Sequence, residues 1–77
     1  MLTPEIVARI KRLRSEAGLT PEQAAERTGR MSGIYWRHIE LGLKRNPSLT
    51  VLEGMAAALG VSLTALISSD NGTRKAS

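Results

Sequence analysis

The residues of this 77-residue chain whose types and spacing point to chemistry fall between Thr20 and Asn46. Arg37 carries a planar guanidinium fork that fits guanine O6 and N7, and that serves equally as a phosphate contact or a solvated cation. Ile34 is apolar and suits either a thymine methyl or half-buried core. Lys44-Arg45-Asn46 bring positive charge and hydrogen-bond donors to a loop ending at Pro47. A phosphate backbone needs that combination, and a basic solvated loop has the same composition. Thr20 and Ser32 are residue types that open helices, and the N–H groups exposed at such an opening attract phosphate. Arg30 adds a cation between them. His38 stands alone without a second ligand at metal spacing, so a surface or phosphate-contact role is favoured over a metal site. Glu5, Glu16, Glu22 and Glu26 are assigned to exposed helix faces, where carboxylates are usually just solvated. There is no Gly-rich phosphate loop, no cysteine nucleophile and no paired His/Asp/Ser arrangement. No catalytic residue, metal site or cofactor is therefore expected, and an enzyme is not.

Composition agrees with a nucleic-acid partner. The formal net charge is +4, which favours polyanions. No apolar run approaches the roughly 18–20 residues that span a bilayer, and Met1-Leu2-Thr3-Pro4-Glu5 lacks the basic start of a signal peptide. A soluble cytoplasmic protein is expected, with no membrane partner. The absence of cysteine excludes disulfides and thiolate metal sites. With one Trp, one Tyr and no Phe, aliphatic side chains must fill the core, as is usual in a small helical bundle. A core this small relies on tight helix packing or on dimerisation.

The elements that would carry these groups are all helical. Thr3-Pro4-Glu5 opens a helix with Ile6, Val7, Ile10 and Leu13 at helical spacing, stopped by Gly18. Thr20-Pro21-Glu22-Gln23 repeats the start signal with a capping box, and Ala24, Ala25 and Thr28 form the inner face. Gly29 makes a tight turn, Ser32 caps a third helix with Tyr35, Trp36 and Ile39 near its buried side, and Gly42 closes it. Ser48 caps a fourth helix through Leu49, Leu52, Met55, Ala56 and Leu59, stopped by Gly60. Val61-Ser62 leads into a fifth containing Leu63, Leu66 and Ile67. The small Ala25 before the turn at Gly29 suits two helices crossing steeply, and the second of these can enter a DNA major groove. Residues 1–67 are thus assigned to one all-α DNA-binding domain and 68–77 to a polar, disordered tail. Leu63, Leu66 and Ile67 are more apolar than the end of a small unit needs, which points to a symmetric dimer interface.

Five segments recur in a familiar order: Arg9-Ile10-Lys11-Arg12-Leu13-Arg14 before Gly18-Leu19-Thr20; Ala25 with Gly29; Ile39-Glu40-Leu41-Gly42; Lys44-Arg45-Asn46-Pro47-Ser48-Leu49; and Ala58-Leu59-Gly60-Val61-Ser62-Leu63. From Ile6 to Ile67 the chain resembles the Cro and lambda-repressor-like, or Xre-type, helix-turn-helix family. The resemblance implies a compact five-helix domain that binds a roughly two-fold operator in double-stranded DNA as a homodimer and regulates transcription. It maps base-edge contacts to Ser32, Gly33, Ile34 and Arg37, and backbone contacts to Lys44, Arg45 and Asn46. It also implies a structural ion pair between Arg14 and Glu40, with Trp36 in the core. Two departures stand out. Pro21 occupies a position where the family usually carries Gln, and one extra residue lies between the turn glycine and Glu40, with Arg30 in the turn the simplest site for it. The contrasting reading is an antitoxin-type protein-interaction module that also binds its own operator, with a toxin as partner; RNA polymerase is another possible protein partner.

Overall fold

The structure is a computed structural model in which residues 2–67 are described. The tail assigned to 68–77 lies outside the described residues. Five helices follow one another: α1 (Pro4–Glu16), α2 (Pro21–Thr28), α3 (Gly33–Glu40), α4 (Leu49–Leu59) and α5 (Leu63–Ile67). No strand occurs among the described residues. The all-α, five-helix expectation is met.

The helix starts have local causes. The hydroxyls of Thr3, Thr20, Ser32, Ser48 and Ser62 each accept the backbone N–H three residues on, at 3.0–3.2 Å. Each bond satisfies a donor that the first helical turn otherwise leaves unpaired. At Thr20 the box is complete, because its own N–H donates to Gln23 Oε1 at 2.9 Å. Pro4 and Pro21 sit in the first turn, where a missing N–H costs nothing.

Gly29 ends α2 with φ +65°, a left-handed conformation that residues with a Cβ adopt at a cost. The turn then runs through Arg30 and Met31 to the Ser32 cap. Arg30 N–H donates to Thr28 Oγ1 at 3.1 Å, and Met31 is half-buried against the core. Helix α3 beyond it is regular, from Ser32 O accepting Trp36 N–H at 3.2 Å to Arg37 O accepting Leu41 N–H at 2.9 Å. The turn between α2 and α3 thus spans Gly29 to Ser32, and α3 presents Trp36 and Ile39 to the core. Gly42 lies just past the end of α3.

The core is built around Trp36, Ile10, Ile39, Met55 and Leu66, all fully enclosed, with Ala24, Ala25, Ala56 and Ala58 as small spacers where helices meet. Leu66 corrects one expectation. It is 0 % exposed and packs inward, so it offers no surface to a second copy. The physical reason is that α5 folds back on α1, where the Arg9 guanidinium donates to the Leu66 carbonyl at 3.1 Å. Burying a leucine side chain in this way contributes roughly 1.5–3 kcal/mol. Leu63 and Ile67 are only half-buried.

Candidate nucleic-acid interface

One face of α3 is core and the opposite face is bare. Trp36 and Ile39 point inward, while Ser32, Ile34, Arg37 and Leu41 are exposed. Ile34 is 66 % and Leu41 70 % exposed, so neither belongs to the core. Ile34, Arg37 and Leu41 recur at helical spacing and form one outward stripe. For Ile34 this removes the half-buried alternative.

The orientation of that stripe is held by a buried polar hub at the end of α3. Arg14 donates from Nε to Glu40 Oε2 at 2.6 Å and from Nη2 to Oε1 at 3.0 Å. Its Nη1 reaches the Leu19 carbonyl at 2.7 Å. The Trp36 indole N–H donates to the same Glu40 Oε2 at 2.7 Å. A bidentate arginine–carboxylate pair fixes direction as well as distance. The hub thus fastens α3 to α1 and to the entrance of α2.

Gly33 has no side chain to read a base, and what comes close to it is Glu22. A Cβ at 33 would stand 2.6 Å from Glu22 Cγ and 3.0 Å from Glu22 Cα. Its missing side chain lets α2 approach α3 at their half-buried edge. Glu22 is exposed, as expected for its helix face, and it also has a partner: Arg37 Nε donates to Glu22 Oε2 at 2.5 Å, with both side chains about half exposed. The Arg37 hydrogen bond, followed by Glu22's own backbone, holds the Glu22 carboxyl below the usual glutamate range, and Glu22 in turn pushes Arg37 up.

The residues assigned to phosphate fall into three groups. Thr20 has its oxygen and its N–H occupied by the capping box, which leaves the hydroxyl hydrogen as its one further donor. The Arg30 stem lies along α4, its Cδ 3.3 Å from where a Cβ of Gly54 would be. His38 is half-buried, and its carbonyl accepts Leu43 N–H at 2.8 Å.

Lys44, Arg45 and Asn46 are exposed on a loop pinned at two further points. Leu2 N–H donates to Arg45 O at 2.8 Å, and Lys44 Nζ stands 6.0 Å from the Tyr35 ring centroid. Lys11 of α1, to which no role was assigned, joins these groups. It lines a concavity of about 420 Å³ with Leu41, Lys44 and Arg45. It also borders a second concavity, of about 320 Å³, with Arg37 and Pro21. The two share Lys11, Glu40 and Leu41, so Arg37, Lys11, Lys44 and Arg45 form a basic strip beside α3 with the Arg14-paired Glu40 carboxylate at its junction. The amphipathic pattern of α1 puts Lys11 on its outer side, but its nearness to the loop depends on how α1 and α3 cross.

Among the described residues no group of three or more His, Cys, Asp or Glu could hold a metal ion. No helix among the described residues is long and apolar enough to cross a membrane.

Comparison with known proteins places the chain. The helix-turn-helix domain family matches residues 5–67. The chain is 42 % identical over 59 residues to the immunity repressor protein of Bacillus phage phi105, covering 77 % of this chain and 40 % of that protein. It is 37 % identical over 65 residues to the HTH-type transcriptional regulator SinR of Bacillus licheniformis, covering 84 % of this chain and 58 % of the regulator. It is 45 % identical over 56 residues to the uncharacterized HTH-type transcriptional regulator y4dJ of Sinorhizobium fredii, covering 73 % of this chain and 70 % of that protein. The chain therefore spans less than two thirds of the length of the first two. No solved structure matches it at comparable significance.

Proposed function

The chain belongs to the helix-turn-helix domain family, of the Cro and lambda-repressor-like type, and on that premise we propose that it is a sequence-specific DNA-binding transcriptional regulator. It acts in the cytoplasm on the nucleoid and binds a roughly two-fold operator as a homodimer. The observation that carries this reading is the outward stripe of α3 lying beside the basic strip of Lys11, Lys44 and Arg45. α3 enters the major groove, where Ile34 meets a thymine methyl and Arg37 a guanine edge. Lys11, Lys44, Arg45 and Asn46 contact the flanking phosphates. Phosphate contacts supply most of the affinity and groove contacts the specificity. The names of the relatives, a repressor and two transcriptional regulators, support the reading. Leu63 and Ile67, half-buried at the start and the end of α5, form the apolar part of the dimer contact.

Selection of binding sites from a random double-stranded pool tests this directly. Enrichment of a site with two related half-sites about one helical turn apart is the expected result. Recovery of no preferred sequence, with binding that depends on salt alone, overturns the proposal. Sedimentation of Ile67→Glu tests the dimer contact: loss of a wild-type dimer supports it, and an unchanged dimer refutes it.

A further inference from the structure

We propose that Glu22 is a positioning residue for base recognition, holding the Arg37 guanidinium end-on toward a guanine, and that Gly33 exists to seat it. This inference rests on the proposed DNA-binding function.

The three residues form one device. Gly33 and Arg37 lie one helical turn apart and therefore on the same side of α3. The Glu22 stem crosses that side at Gly33, so close that a Cβ there would stand 2.6 Å from Glu22 Cγ. One turn further along α3 its carboxylate takes Arg37 Nε at 2.5 Å. The bond uses the side edge of the guanidinium. Among the described residues no protein acceptor takes Nη1 or Nη2 of Arg37. Those two nitrogens form the end of the fork and can donate to guanine O6 and N7 together.

The carboxylate has two effects on recognition. It removes the rotational freedom of a long side chain, so less entropy is lost when the base pair is read. It also offsets the arginine charge, which weakens a competing contact with phosphate, where charge alone suffices. Both effects favour the guanine over other acceptors. They concern discrimination more than affinity.

The test compares wild type, Glu22→Gln, Glu22→Ala, Gly33→Ala and Arg37→Ala on the selected operator and on every single-base-pair variant of it. Fluorescence anisotropy gives Kd at one fixed salt concentration, and circular dichroism melts identify any variant that does not fold. Arg37→Ala identifies the base pair that Arg37 reads, by a loss of discrimination there of roughly tenfold to a hundredfold. Glu22→Ala and Glu22→Gln are expected to lose about tenfold of discrimination at that same base pair and at no other. Gly33→Ala keeps both charges but displaces Glu22, so it should lose discrimination at the same place. Combining Glu22→Ala with Arg37→Ala should add little to Arg37→Ala alone.

If Glu22→Ala tightens binding to all sequences alike and leaves discrimination intact, the carboxylate acts only as a negative charge and the proposal is wrong. It is equally wrong if Glu22→Ala lowers the melting temperature while discrimination persists, since the pair is then only structural. Failure of wild type to prefer any DNA sequence would instead overturn the function on which the proposal rests.

Discussion

Replacing Glu40 by alanine should cost the domain about 3–5 kcal/mol, the range for removing one partner of a buried ion pair. Glu40 and Arg14 side chains are only 8 % and 13 % exposed, and the carboxylate accepts three N–H groups, at 2.6, 3.0 and 2.7 Å. The alanine variant leaves a largely buried guanidinium without its counter-ion and an indole N–H without an acceptor. The Arg12–Glu16 pair gives the contrast. It spans 3.8 Å with side chains 63 % and 64 % exposed, and its loss should cost about 0.5 kcal/mol or less. A chain of this size has a total stability of about 4–12 kcal/mol. With a urea m-value near 1 kcal/mol/M, Glu40→Ala should lower the unfolding midpoint by about 3–5 M, which unfolds much of the protein in buffer if its stability lies near the lower end of that range. Glu40→Gln keeps one carbonyl acceptor but turns an amide donor toward another donor, and should lose about 1.5–3 kcal/mol. Urea titration followed by Trp36 fluorescence and far-ultraviolet circular dichroism measures both. Adding Arg14→Ala to Glu40→Ala should cost less than the sum of the two by more than 1 kcal/mol, because the contact is shared. A Glu40→Ala cost below about 1 kcal/mol would refute the reasoning, since it is the value of an exposed pair.

On the DNA side, Lys44→Ala and Arg45→Ala should weaken specific and nonspecific binding alike, each lowering the salt slope by about one per lost phosphate contact. Lys11→Ala should do the same if the basic strip is continuous, and a normal slope would detach α1 from the interface. Within the fold, Gly29→Ala should destabilise by about 1 kcal/mol in a thermal melt. The space around Gly29 is open, so the cost comes from its φ of +65° and not from a clash. The Glu22 carboxyl should titrate below the ordinary glutamate value of 4.5 by nuclear magnetic resonance, and Arg37→Ala should bring it back up. Because folding depresses this group, its contribution to stability is present above that value and is lost as pH falls through the folded midpoint.

The fold was legible where its determinants are local. Thr3, Thr20, Ser32 and Ser48 announce helix starts within three residues of the groups they cap, and Gly29 announces a turn by its freedom at positive φ. Trp36 was readable as core from the spacing of Trp36 and Ile39. Its acceptor was within reach as well, since Glu40 lies one turn on along the same helix. The errors arose where a partner is distant in sequence. The contact between Gly33 and Glu22 was hidden, because the two lie on successive helices across the turn. The pairing of the exposed Glu22 with Arg37 was hidden for the same reason. Leu66 looked like an interface residue because apolarity at a chain end does not tell inward from outward. That depends on α5 docking against α1, which no local pattern encodes. Lys11 was overlooked because periodicity gives the outer face of α1 but not which loop lies beside it.

The five hydroxyl caps have a kinetic consequence. Each closes over three residues, so the denatured chain can form and lose the same first turns before any helix meets another. The contact that must wait is the one joining the two ends of the domain, where the Arg9 guanidinium meets the Leu66 carbonyl across 57 residues of chain. Loop closure over that distance is entropically costly, and hydrophobic docking of α5 on α1 has to offset it. Joining the first and last helices is therefore the entropically most demanding of these steps, while α3 can start from its own cap. A chain organised in this way belongs with the helical domains that fold in microseconds to milliseconds. The exposed face of α3 is restored on the same timescale.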